Sequence, residues 1–135
     1  MPQFRLSEAA GLLGVSDDTV RRWVRAGQLT AGTDSAGRKV IDGAELAAFA
    51  RAQAERPEDP SEVGRSARNR FVGLVTEVVT DKVMAQVELQ CGPHRVVSLM
   101  STEAVRELGL RPGVLAVAVV KATQVLVETP GGDKQ

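Results

Sequence analysis

Four short stretches of this chain concentrate side chains that could do chemistry. Cys91 and His94 share the segment LQCGPHR, the only cysteine close to the only histidine. A thiol activated by an imidazole is one reading of that pair; a plain hairpin loop is the simpler one. No Ser/His/Asp pattern and no paired-carboxylate motif accompanies them, so the sequence argues against an enzyme. A single cysteine also excludes an internal disulfide framework and a cysteine-cluster zinc site. The second and third stretches are polar breaks in apolar runs: Ser66, Ala67, Arg68 and Asn69 in SARNRFVGLV, and Lys121, Ala122 and Thr123 in AVVKATQVLV. With Ser98 to Thr102, they place hydroxyls, a cation and backbone N–H groups at element ends. Convergent N–H and O–H donors bind a tetrahedral oxyanion well, although simple helix caps and a solvated lysine would produce the same composition. The fourth stretch, Ser16 to Arg25, carries Thr19, Arg21, Arg22 and Arg25 on one short amphipathic segment.

The elements that must position these groups follow two grammars. Residues 1–54 carry helical periodicity, whereas the segment from Arg70 to Glu128 is made of short valine-rich runs of strand type. Between them ERPEDPSEVGR, residues 55–65, combines two prolines with four acids and reads as a linker. The sequence therefore predicts an α+β chain of two domains, 1–54 and 66–128, with a flexible tail at 129–135. Each domain is small enough that oligomerisation would help stabilise it.

Composition narrows the function further. Of the 135 residues, 43% are hydrophobic and only 3% aromatic, with no tyrosine, so the cores must rest on Val, Leu and Ala. Seventeen basic and seventeen acidic side chains cancel. That balance argues against non-specific coating of nucleic acid, which needs many basic contacts, and leaves room for a local basic surface. There is no 18-residue apolar run and no basic-then-apolar leader, so a cytoplasmic protein is expected.

In the N-terminal half, FRLSEAAGLLGVSDDTVRRWVRAGQL reads as helix, tight turn, helix. Ser7 is the expected cap of the first helix and Ser16 of the second. Gly14 breaks the first helix and Gly27 stops the second. Val20, Trp23 and Val24 fall on one face, leaving the arginines outside; i,i+4 pairing of Asp17 with Arg21 and Asp18 with Arg22 is the alternative use of those charges. LTAGTDSAGRKVI then gives two short strands around a turn, with Arg38 and Lys39 on the return, and Asp42 with Glu45 forms a capping box before another helix. The pattern LSEAAGLLGVSDDTVRRWVRAGQL…GRKVI resembles the winged helix-turn-helix of the MerR and excisionase-like group. That resemblance implies double-stranded DNA as partner, with Ser16, Thr19, Arg21, Arg22 and Arg25 at the major groove and Arg38 and Lys39 as phosphate contacts of the wing. No long dimerisation helix follows, so any dimer must be built elsewhere.

In the C-terminal half, strands are expected at 70–79, 83–90, 95–100, 114–120 and 124–128, with a short helix at 102–108. Val83, Ala85, Val87 and Leu89 should share one buried face. Five short strands and one small helix suggest an OB-like β-barrel. Single-stranded nucleic acid is a poor ligand for it, because Phe71 is the only aromatic residue after position 60 and no stacking platform exists. SARNRFVGLV, LMSTEAVRELGL and AVVKATQVLV, in that order, resemble the molybdate-binding Mop, or TOBE, domain of molbindins and molybdate-responsive regulators. The resemblance implies molybdate or tungstate as ligand, bound between subunits of a homo-oligomer, a dimer or a trimer of dimers. It implies one wall from Ser66, Ala67, Arg68 and Asn69, another from Lys121, Ala122 and Thr123, and a hydroxyl from Ser101, with Ser98 and Thr102 as lesser candidates. Joined, the two halves lead to the expectation of a molybdate- or tungstate-responsive transcription regulator. An oxyanion storage protein, or an excisionase-like architectural protein that uses the barrel for assembly, are the alternatives.

Overall fold

The computed structural model describes residues 2–55, 58–60 and 69–131. The chain divides into two compact units, Met1–Glu55 and Arg56–Gln135, each with its own core.

The first unit runs β1 (Gln3–Arg5), α1 (Leu6–Leu13), α2 (Asp17–Arg25), β2 (Gly32–Thr33), β3 (Lys39–Asp42) and α3 (Gly43–Gln53). Its strands form an antiparallel sheet in the order β1-β3-β2. Helix α1 begins two residues earlier than its serine suggests. Arg5 occupies the cap position, and its N–H donates to Glu8 Oε1 at 2.9 Å, so Ser7 sits within the first turn instead of capping it. Gly14 then reverses the chain in the left-handed region, at φ 70°, a conformation that costs glycine nothing. Ala9, Ala10, Val20, Leu29, Ile41 and Leu46 form the buried core, with Trp23 stacked obliquely on Phe49 at 4.9 Å between ring centres. Only half of the expected capping box forms at α3. Asp42 accepts from the Glu45 N–H at 3.2 Å, but the Glu45 carboxylate accepts from Thr30 N–H at 3.0 Å and so ties the helix to the preceding loop.

The second unit runs β4 (Asn69–Thr80), β5 (Met84–Cys91), β6 (His94–Ser101), α4 (Thr102–Leu108) and β7 (Leu115–Val120), followed by a 3₁₀ turn at Ala122–Gln124. All four strands pair antiparallel in the order β6-β5-β4-β7. Two features curl this sheet. A register shift between Val75 and Glu77 forms a bulge in β4. At Gly73 the strands come so close that a Cβ would lie 2.4 Å from the Gln90 carbonyl oxygen and 2.6 Å from Cys91 Sγ. The concave face buries Val75, Ala85, Val87, Leu89 and Cys91, and Val105 of α4 plugs one end. Val83 does not share that face: it lies in the β4–β5 turn, 69% exposed, where Asp81 Oδ1 accepts from the Val83 and Met84 N–H groups at 2.8 Å each.

Residues 124–128 do not form the expected fifth strand. After the 3₁₀ turn the chain leaves the sheet, with Leu126 and Val127 exposed at 91% and 86%. A strand needs an edge on which to complete its ladder, and this segment lies on neither edge strand of its own chain. Between the edges β6 and β7 an apolar groove of about 680 Å³ stays open, lined among others by Leu89, Leu99, Leu115, Val117 and Val119.

Candidate functional site

Strand register decides which of the sequence-selected residues of the second unit meet. Asn69 opens β4 and pairs with Val120, the last residue of β7. Lys121, Ala122 and Thr123 follow directly, so Asn69 and this second polar break are brought to one end of the sheet. Lys121, Ala122 and Thr123 are exposed and Asn69 is half-buried. The turn at Ala122–Gln124 is closed by the Gln124 N–H donating to the Lys121 carbonyl at 2.9 Å. N–H groups in the first turn of a helix have no partner within it, so this corner combines backbone donors with the Thr123 hydroxyl and the Lys121 ammonium. Ser66, Ala67 and Arg68 lie outside the described residues.

Ser101 is not part of that corner within one chain. It pairs with Met84 and so lies at the end of the sheet occupied by Thr80, the opposite end of β4 from Asn69. Its hydroxyl accepts from the Ala104 N–H at 3.1 Å and caps α4. Thr102 is also engaged structurally: buried, its Oγ1 donates to the Asp81 carbonyl at 2.9 Å. Ser98 is exposed in mid-β6. Cys91 and His94 face each other across the β5–β6 turn, yet the thiol is buried and donates to the Phe71 carbonyl at 3.6 Å. Burial pushes that thiol up from its ordinary value, which disfavours the nucleophilic thiolate.

In the first unit, Ser16 caps α2: its Oγ accepts from the Thr19 N–H at 3.2 Å and lies 3.0 Å from Thr19 Oγ1. Arg21, Arg22 and Arg25 all project on the exposed side of α2. Arg21 donates to Asp18 at 3.2 Å, a pairing three residues apart in place of the i,i+4 pairs the sequence suggested. In the β2–β3 hairpin, Asp34 organises the turn by accepting from the Ala36 and Arg38 N–H groups at 2.9 Å, and the Arg38 Nε donates to its other oxygen at 3.0 Å. The Arg38 backbone N–H is the largest influence holding the Asp34 carboxyl below its ordinary value. Among the described residues Arg22, Arg25 and Lys39 form no ion pair, so three cations are free to meet an external anion. The role of Asp59, which binds Arg70 at 2.8 Å, was invisible in the linker composition.

Comparison with known proteins finds a separate family match in each half of the chain. The Helix-turn-helix domain family matches residues 4–54 and the TOBE domain family residues 65–127. Molybdenum-pterin-binding protein 2 of Clostridium pasteurianum is 38% identical over 63 residues, which make up 46% of this chain and 93% of that protein. The molybdenum transport protein ModE of Herbaspirillum seropedicae is 37% identical over 65 residues, 47% of this chain but only 24% of that protein. Among solved structures, a molybdate-binding protein from Sporomusa ovata is 31% identical, with a TM-score of 0.48, covering 50% of this chain and all of that one. On the two family matches and the near-complete coverage of molybdenum-pterin-binding protein 2, the chain belongs to the molbindin-like TOBE-domain family and carries a helix-turn-helix domain ahead of its TOBE domain.

Proposed function

We propose that the protein is a cytoplasmic DNA-binding regulator whose TOBE domain binds molybdate or tungstate. The observation that supports this reading is the pairing of Asn69, the last residue of SARN, with Val120, which directly precedes Lys121 of KAT. Ser66, Ala67, Arg68 and Asn69 supply one wall, and Lys121, Ala122 and Thr123 the other. A doubly charged tetrahedral anion would be held there by N–H and O–H donors, with Lys121 supplying the positive charge. Relatives of the TOBE half carry molybdenum-handling names, which supports the choice of ligand. The chemistry is binding, with no catalytic role for Cys91 or His94.

The site is incomplete in one chain. Ser101 caps its helix at the far end of the sheet, so it joins a Lys121 corner only from another copy. The same chain leaves both an apolar groove between β6 and β7 and an apolar segment, Val125 to Val127, uncovered. A second copy offers each the partner it lacks, hence a homo-oligomer, a dimer or a trimer of dimers. Two-fold symmetry then presents two copies of α2 to a pseudo-palindromic operator. At each half-site Ser16, Thr19, Arg21, Arg22 and Arg25 face the major groove, while the β2–β3 hairpin acts as the wing through Arg38 and Lys39.

Calorimetric titration with molybdate and tungstate, using sulfate and phosphate as controls, tests the ligand assignment. Electrophoretic mobility shifts on selected duplexes, with and without the anion, test the regulatory one. Saturable oxyanion binding without selective DNA binding would favour storage, and selective DNA binding indifferent to oxyanions would favour an architectural protein.

A further inference from the structure

The hairpin that carries Arg38 and Lys39 is built around one carboxylate. Asp34 Oδ1 accepts from the Ala36 and Arg38 N–H groups, both at 2.9 Å. The main chain closes the same loop: the Asp34 N–H donates to the Arg38 carbonyl at 2.9 Å, and the Gly37 N–H to the Asp34 carbonyl at 3.0 Å. Gly37 lies in the left-handed region, at φ 80°, and lets the chain return so that Arg38 comes opposite Asp34. Val40 and Ile41, which follow, are buried and anchor the hairpin at its base. The second carboxylate oxygen, Oδ2, is not used by the turn; it accepts from Arg38 Nε at 3.0 Å. Within this pair the carboxylate is the shielded member, its side chain 16% exposed, and the guanidinium the projecting one, at 56%. Among the described residues no hydrogen bond or ion pair engages either Nη group of Arg38. So exposed a pair adds little to stability, and its consequence lies in geometry. A guanidinium is a rigid planar fork. With Nε tied down, the two Nη groups keep one orientation and stay available as donors.

We propose that Asp34 is a positioning residue for DNA: by holding Arg38 through Nε, it presents the Nη groups to a backbone phosphate. The proposal rests on the DNA-binding reading above and adds to it a residue of the opposite charge to the one a polyanion attracts. Parallel N–H donors of a guanidinium suit a phosphate, and a side chain already ordered loses less freedom on contact. Bare electrostatics and positioning therefore predict opposite signs for the removal of Asp34. Without its negative charge the phosphate backbone is attracted more strongly. Without its hold on Nε the Arg38 fork is free to rotate, and the contact weakens.

Asp34→Asn separates the two. Its amide oxygen still accepts from the Ala36 and Arg38 N–H groups, so the turn is kept, whereas its amide nitrogen cannot accept from Nε–H and the negative charge is gone. The full chain, Asp34→Asn, Arg38→Ala and the two combined are titrated by fluorescence anisotropy at several salt concentrations, with melts to check each fold. The probe is a duplex that the wild type selects from a randomised pool. Asp34→Asn should bind about tenfold more weakly despite its added positive charge. The double variant should bind no more weakly than Arg38→Ala, because both changes remove the same contact. The salt dependence should become shallower by about one phosphate contact in Arg38→Ala and in Asp34→Asn alike. Arg38→Lys leaves the carboxylate and its backbone bonds in place, keeps the charge and lacks Nε, so its binding should fall as in Asp34→Asn. Binding by Asp34→Asn as tight as the wild type or tighter, or losses that add in the double variant, would overturn the positioning role and leave DNA binding standing. A wild type that selects no duplex would remove the DNA-binding reading and the positioning role together.

Discussion

Arg22 and Lys121 are the two side chains whose removal should separate the two proposed functions most cleanly. Both are exposed and neither belongs to a core. Truncating Arg22 removes a cation on the outer face of α2, so Arg22→Ala should weaken operator binding by about tenfold and leave the anion isotherm unchanged. If Lys121 contacts the anion as proposed, Lys121→Ala removes a charge-assisted contact worth roughly 1.5–3 kcal/mol, so anion affinity should fall at least about tenfold with the fold intact. Equal loss of both activities in either variant would contradict the separation. Titration offers a further check at this scale. The Met84 N–H, then the Val83 N–H, hold the Asp81 carboxyl below its ordinary value of 3.8, as the Arg38 and Ala36 N–H groups do chiefly for Asp34. A carboxylate whose folded value is depressed stabilises the fold above its unfolded value, and that stability is lost as pH falls through the folded one. Thermal melts should therefore be insensitive to these groups at neutral pH and drop below about pH 4. Asp81→Asn should flatten the acid limb that reports on the β4–β5 turn.

Strand β4 is the element on which the second unit depends, since it pairs with both β5 and β7 and carries Asn69 to the corner. Its close approach to β5 tolerates no side chain at position 73, where a Cβ would meet a backbone oxygen that cannot swing away. Gly73→Ala should cost about 1–3 kcal/mol through forced strand separation. That would lower the melting temperature of this unit by roughly 4–8 °C per kcal/mol. An unchanged melt would contradict the tight packing. Much of this element scale was legible in the sequence, because period-two alternation in β5 reports directly which side chains are buried. The misreadings have local causes. Val83 continues the alternation by type but belongs to an Asp81-centred turn, whose hydrogen bonds override the pattern. Ser7 is a good capping residue, yet Glu8 reaching back to Arg5 fixes the helix start two residues earlier. Ser101 stands between SARN and KAT in the sequence, and only the strand register reveals that it lies at the other end of the sheet. The Asp59–Arg70 pair was illegible because prolines and acids signal a linker whether or not it docks.

For the whole molecule, the apolar segment 124–128 has a strand-like sequence yet joins neither edge of its own sheet. If a second copy supplies an edge, then Leu126→Asp should shift the population toward monomers in sedimentation velocity. Anion affinity should drop alongside, because Ser101 and Lys121 would no longer meet. An unchanged oligomer would place the interface elsewhere. If the first unit binds DNA and the second an oxyanion, as proposed, each ligand could bias the binding of the other. Any such coupling must be reciprocal in free energy. The central claim remains the oxyanion corner itself, and calorimetric titration of the intact protein with molybdate tests it most directly. The account predicts saturable binding, matched by tungstate, little heat with sulfate, and a melting shift worth about 2.7 kcal/mol at a hundredfold excess over the dissociation constant. Neither heat nor a melting shift with molybdate or tungstate would contradict it.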